Sequence, residues 1–128
     1  PFQHAIETLI WIAHQEIDDM PALWARPWPS LSPDLEANLK TEWIAFAIAA
    51  SELGFDPEEH RVGPIDLCQG DERAYMAHDW ILTRNRAGCG FWDPNRWADE
   101  FRQPLTDLCH KQGEIELYLG DDQLIYSL

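Results

Sequence analysis

Five polar side chains stand close enough in the sequence to do chemistry together: His78 and Asp79, then Arg84 and Asn85, then Asp93. A carboxylate beside an imidazole is the usual pairing for acid–base work, and an arginine and an amide nearby would orient an anionic substrate. Neighbouring residues on a helix do not face one another, however, so His78 and Asp79 are not expected to form a dyad. No serine sits in a nucleophile elbow, and there is no phosphate loop, dinucleotide fingerprint or H-E-x-x-H. Gly88-Cys89-Gly90 is too short to cradle a nucleotide. A structural role accounts for the same residues. Asn85 and the glycines reverse the chain after a helix. Arg84 pairs with an acid or bonds the carbonyls of that helix end. Asp93 caps the next helix. Asp121 and Asp122 form a hairpin turn, and they lack the regularly spaced oxygen ligands of a calcium loop.

Cysteines add little. Cys68, Cys89 and Cys109 are odd in number and form no C-x-x-C, which points to reduced thiols in a cytosol. A zinc site that combines them with His78 or His110 is a minor alternative to three small core residues. No catalytic residue, metal or cofactor is therefore expected.

Charge is more informative. Net charge is −14, and residues 1–60 carry 11 acids against 2 bases, residues 61–112 carry 8 against 7, and residues 113–128 carry 4 against none. The acidity therefore sits at the two ends of the chain. Phosphate backbones would be repelled, so direct nucleic-acid binding is disfavoured. A basic protein surface would be attracted. The plainer alternative is that the charge only keeps a small protein soluble. No apolar run is long enough to span a bilayer, and no basic region precedes an apolar stretch at the N-terminus, so neither a membrane span nor a signal peptide is expected.

The elements that must position these residues follow from periodicity. Phe2, Ile6, Leu9, Ile10, Ala13 and Ile17 predict an amphipathic helix running to about Asp19 and stopped by Pro21. Residues 21–33 hold four prolines and cannot be regular helix. Trp24 and Trp28 lie there, either capping the core or exposed as anchors for a partner. Ser32 and Pro33 then open a long helix whose face is Leu35, Leu39, Trp43, Phe46, Ala50 and Leu53. Ile44, Ala47 and Ile48 widen that face, so this helix is expected to be central and buried on most sides. Gly54-Phe55 ends it with a left-handed cap.

Asp56-Pro57 starts a short helix that ends near Gly63-Pro64. Residues 71–85 read two ways: alternation at Trp80 and Leu82 would suit a strand, while Ala74, His78, Ile81 and Leu82 favour a helix ending around Asn85. Phe91 and Trp92 read as a short strand, and Asp93-Pro94 as the start of a helix with Trp97, Phe101, Leu105 and Leu108 inward. Pro104 should kink or divide that helix, and Gly113 should end it. Residues 115–126 form a hairpin about Gly120-Asp121-Asp122. The expected fold is α+β: one mainly helical domain over 1–128 with a small antiparallel sheet of about three strands.

Two of these segments carry a resemblance. LTRNRAGCGFWD at 82–93, preceded by His78 and Asp79, resembles a pattern found in small uncharacterised phage proteins, H-D-F-W-L-T-R-N-G-H-G-A-G-F-W-D. That pattern continues, after a helix, into G-x-x-D-L-Y-V-G-D-D-G-L-I-Y. Gly113, Leu117, Tyr118, Gly120, Asp121, Asp122, Leu124, Ile125 and Tyr126 match the second part. The likeness covers residues 78–126, a core distinct from the acidic helical residues 1–70. Arg86 and Ala87 stand where the pattern has Gly-His, and Gln123 stands where it has Gly. The resemblance implies a phage or prophage origin and action in a bacterial host cytoplasm, but no reaction.

Three functions compete. The first is an acidic anti-defence protein, of anti-CRISPR or anti-restriction type, that blocks the basic channel of a nucleic-acid-binding host complex as a DNA mimic. Its partner-binding residues would be Asp18, Asp19, Asp34, Glu36, Asp56, Glu58 and Glu59, with Trp24 and Trp28 as apolar anchors. The second is a phage accessory protein that binds another host protein through the Trp-rich loop. The third is a small enzyme or ligand-binding protein in which His78, Arg84, Asn85 and Asp93 converge on a pocket. A homodimer is compatible with the many tryptophans.

Overall fold

Sequence period and capping chemistry place five helices and one hairpin among the described residues. The computed structural model describes residues 2–18, 20–21, 28–62, 72–87 and 90–128, leaving aside the side chain of His4. Trp24, Asp19, Gly88, Cys68 and Cys89 therefore lie outside the described residues. The helices are α1 (Phe2–Glu16), α2 (Pro33–Glu52), α3 (Pro57–His60), α4 (Glu72–Arg84) and α5 (Asp99–Gln112). Strands β1 (Leu117–Leu119) and β2 (Ile125–Ser127) pair antiparallel, with Tyr118 opposite Tyr126. The fold is α+β and mainly helical.

Local chemistry explains most of the boundaries. Ser32 caps α2 by accepting the Leu35 N–H at 3.2 Å, and Pro33 occupies the first turn, where its missing donor costs nothing. At the other end Gly54 takes φ +89°, and the Phe55 N–H reaches back to the Ala50 carbonyl. Phe55 is thereby turned into the core. Asp56 caps α3 by accepting the Glu58 N–H. Gly113 closes α5 at φ +90°.

The structure departs from expectation in several places. Helix α1 ends at Glu16 and α3 at His60, each a few residues early. Phe91 and Trp92 form a turn rather than a strand, and among the described residues the sheet has two strands rather than three. A single parallel bridge from Leu31 to Ile125 stands where a third strand would be. Asp93 accepts the Asn95 N–H and so caps a turn; α5 starts at Asp99, with no side-chain cap. Of the two outcomes expected at Pro104, a kink or a division, division does not occur, since α5 runs on through it. Helix α2 is not the central one. Ile44 and Ile48 are about half exposed, while α4 is buried from Ala74 to Arg84 except at His78. Ala74 and Ala77 let neighbouring helices approach α4 closely, and α1, α3 and α5 all pack on it.

Tryptophans 80 and 97 are wholly buried at the centre. Trp80 lies against Trp43 and Phe46, and Trp97 against Phe55, Tyr75 and Phe91, with ring centroids 5.3–6.0 Å apart. Losing a buried indole of this kind costs about 3–5 kcal/mol.

Among the described residues two other than glycine adopt left-handed backbone: Arg86 at φ 51° and Gln123 at φ 65°. A side chain pays about 1–2 kcal/mol there that glycine avoids. Arg86→Gly and Gln123→Gly should therefore each raise the urea midpoint, by up to about 1 kcal/mol of stability, with an unchanged m-value. A lower midpoint in both variants would contradict the backbone assignment.

Candidate functional site

The five polar residues singled out by type do not converge. Asp79 is wholly buried and is the acceptor for four donors. Arg96 approaches it side-on, with Nε 2.9 Å from Oδ2 and Nη2 2.8 Å from Oδ1. Trp97 Nε1 donates to Oδ2 at 2.7 Å. His78 Nδ1 donates to Oδ1 at 3.1 Å, which corrects the expectation that these neighbours would not face each other. The imidazole folds back over its own helix turn, parallel to the Tyr75 ring at 5.9 Å. Arg96 also stacks over Tyr75, 4.3 Å from the ring centroid. The carboxylate is thus saturated by a bidentate guanidinium and an indole, an arrangement that holds a core together.

Arg84 and Asn85 point elsewhere. Arg84 crosses to the end of α5, donating from Nε to the Gly113 carbonyl at 2.8 Å and from Nη2 to Gln112 at 3.3 Å. Nη2 also meets Glu42 at 3.0 Å, and the guanidinium lies over Trp80. Arg84 therefore serves the carbonyls of α5, not those of its own helix. Asn85 donates to the Ile115 carbonyl at 3.1 Å and accepts the Ile115 N–H at 2.8 Å. Its amide imitates a strand edge; the chain reversal assigned to it falls on Arg86. Thr83 accepts the Phe91 N–H, and a Cβ at Gly90 would sit 2.5 Å from both Thr83 Oγ1 and the Trp92 ring. The motif at 78–93 is a set of clamps that fasten α4 to the segments after it.

Acidic residues, by contrast, are brought together from distant parts of the sequence. The Ile125 N–H donates to Ser30 and the Ser32 N–H donates to Ile125, both at 2.8 Å. These two bonds lay the acidic C-terminal hairpin beside the start of α2. Asp34 is near enough to Tyr126 to help hold its phenol above the ordinary range, behind the larger effect of the hydrogen bond to Asp122. Asp122 in turn lies below the usual carboxylate range, because the Tyr126 hydroxyl and the Leu124 N–H both donate to it.

Glu16 is pushed above its ordinary value, first by burial and then by the charge of Glu114. Such a group binds its proton more tightly folded than unfolded, so this stabilising contribution is present at low pH and is lost as pH rises through the folded value. Glu42, Glu114 and Glu116 line a recess of about 340 Å³. Among the described residues no lysine or arginine pairs with Glu16, Asp34, Glu36, Glu114 or Glu116.

Asp56, Glu58 and Glu59 form a second acidic pole at α3, all three exposed. Helix α2 separates it from Asp34 and Glu36 by its length, about 30 Å for 20 residues. Asp18 is exposed just beyond α1. Trp28 is half-buried, its ring 4.9 Å from that of His14. The charge count placed acid at both chain ends; that the ends meet follows only from the Leu31–Ile125 bridge, so Glu114 and Glu116 were missed as site residues.

No group of three or more metal-ligating side chains occurs among the described residues, and Cys109 is buried, its thiol pushed far up by desolvation. No described helix is long and apolar enough to cross a membrane. No family model, curated protein or solved structure matches the chain.

Proposed function

We propose that this chain is a phage or prophage anti-defence protein that binds, and thereby blocks, the basic nucleic-acid-binding surface of a host restriction or CRISPR complex in the bacterial cytoplasm. The observation that carries this reading is the hairpin pole. Carboxylates from α1, α2 and the C-terminal hairpin stand together, and among the described residues only Glu42 of them has an arginine partner, Arg84. Surface acids that served only solubility would be spread among bases. Clustered carboxylates at two poles offer a basic groove two points of attachment, as phosphates would.

The origin rests on the resemblance at 78–126. Arg86 and Gln123, the two left-handed positions other than glycine, are where the phage pattern carries glycine, so its glycines suit this backbone.

The test is capture on the tagged protein from bacterial lysate at low and high salt. A nucleic-acid-binding complex that is released by salt and displaced by duplex DNA supports the reading. Glu114→Lys with Glu116→Lys, and separately Glu58→Lys with Glu59→Lys, should each weaken capture by about tenfold or more without lowering Tm. Capture that survives both reversals rules charge mimicry out. Salt-resistant capture of a partner unrelated to nucleic acid would favour the accessory-protein reading, for which Ile44 and Ile48 offer an exposed apolar surface on α2.

A further inference from the structure

The α3 pole differs from the hairpin pole in what lies beside it. A groove of about 510 Å³ runs between the C-terminal half of α2 and the segment that carries α3. Trp43, Ala47, Phe55, Pro57 and Met76 give it apolar walls, and Asp56 and Glu59 stand at its edge. Gly54 also lines it, with no neighbour within 4 Å of where a Cβ would be, so the backbone there is open. Trp43 is half-buried and held from behind by Trp80, at 5.3 Å, and by Phe46, at 6.0 Å. The ring is therefore set before anything binds. Arg73 is the single base among the lining residues, against two carboxylates.

We infer that this groove receives an arginine side chain from the basic surface of the protein partner, and that the apolar anchor of the interface is supplied by a cavity here and not by a protruding tryptophan. The inference rests on the reading proposed above. Asp56 already accepts the Glu58 N–H and Glu59 lies 3.8 Å from the His60 ring, but a carboxylate accepts more than one bond. An apolar ligand would not use that remaining capacity, and a lysine would use the carboxylates but not the indole. A guanidinium uses both: its plane stacks on an aromatic face while its edge pairs with carboxylates, and its methylene stem covers apolar wall. Arginines are also what a nucleic-acid channel presents to phosphates. At this pole the protein would offer the partner's arginine a carboxylate for the phosphate and an indole for the base.

The experiment titrates the full chain, at low salt, with a short arginine-rich peptide and a lysine peptide of equal length, followed by amide and indole NMR. The expected result is a set of shifts confined to the Trp43 indole and to Ala47, Ser51, Gly54 and Glu59, with the arginine peptide binding more tightly. Ser51 is exposed and lines the groove, so Ser51→Trp should fill it, abolish those shifts and leave Tm unchanged. Glu59→Lys, which fills nothing, should weaken the arginine peptide by about tenfold.

Shifts of equal size at Asp34, Glu36 and Glu116 that persist in Ser51→Trp would overturn the groove while leaving the acidic-surface reading intact. Equal affinity for the lysine peptide would overturn the arginine assignment. Contacts between residues 63–71 and the Trp43 indole that survive the titration would show the groove filled by the chain itself and overturn it too. No binding of either peptide at low salt would sink this inference and the proposed function together.

Discussion

Replacing Asp79 by alanine should cost the fold about 3–5 kcal/mol, the usual loss when one partner of a buried ion pair is removed. On a chain of 128 residues that is a fall in Tm of roughly 10–20 °C. The reason lies in what is left behind. Arg96, whose side chain is only 14% exposed, would keep its charge without the carboxylate that answers it, and the Trp97 indole N–H would lose its acceptor. Asp79→Asn should recover little, because the new amide turns a donor toward a guanidinium.

The pair itself is a different matter from its halves. Asp79→Leu combined with Arg96→Met removes both charges, and should restore more than half of what Asp79→Leu alone loses. Urea denaturation of the three variants closes the cycle. A single-variant loss below about 1 kcal/mol would mean that water or a neighbour replaces Asp79, and the clamp would not be the centre of the fold.

That Asp79 is structural could not be read from its type. The sequence showed His-Asp on a helix and left the choice between dyad and scaffold to a rule about neighbouring residues, and the rule failed: His78 does bond Asp79. What decides the role is Arg96 and Trp97, 17 and 18 residues on, arriving from a turn that sequence reading assigned to a helix beginning at Asp93. The same blindness displaced the centre of the molecule. Helix α2 looks buried because its apolar residues spread around the wheel, and α4 looks amphipathic because it carries Asp79, Thr83, Arg84 and Asn85. Period measures apolarity, and those four are buried with their partners supplied by other segments. Local signals read well at Ser32, Asp56, Gly54 and Gly113, which cap as their chemistry requires, and at the Asp121-Asp122 turn, but not at Asp93, whose cap serves a turn ahead of α5. The acidic pole combines both cases, since the charges were countable but their meeting depends on two long-range bonds to Ile125.

The second large effect concerns Asn85. Its amide satisfies both the N–H and the C=O of Ile115, a buried residue just ahead of β1. Asn85→Ala strands both groups, and at 1–3 kcal/mol for each the loss should total about 2–4 kcal/mol. The Ile115 amide should then exchange with deuterium as fast as its neighbours at local openings, well before global unfolding. Asn85→Asp gives a sharper test, because it changes a single donor into an acceptor. At neutral pH its carboxylate still takes the Ile115 N–H but faces the Ile115 carbonyl lone pairs, so it should be no more stable than the alanine variant. Protonated, the same side chain regains a donor. Its folded pKa is thereby raised above the unfolded value, and the stability it contributes is present at low pH and lost as pH rises through that folded value. The Tm difference between Asn85→Asp and wild type should therefore narrow on acidification, while that of Asn85→Ala stays constant over the same range. If both differences run parallel with pH, the Asn85 donor contributes nothing. The link from Asn85 to the hairpin would then be its acceptance of the Ile115 N–H, beside the two bonds of Ile125 to Ser30 and Ser32.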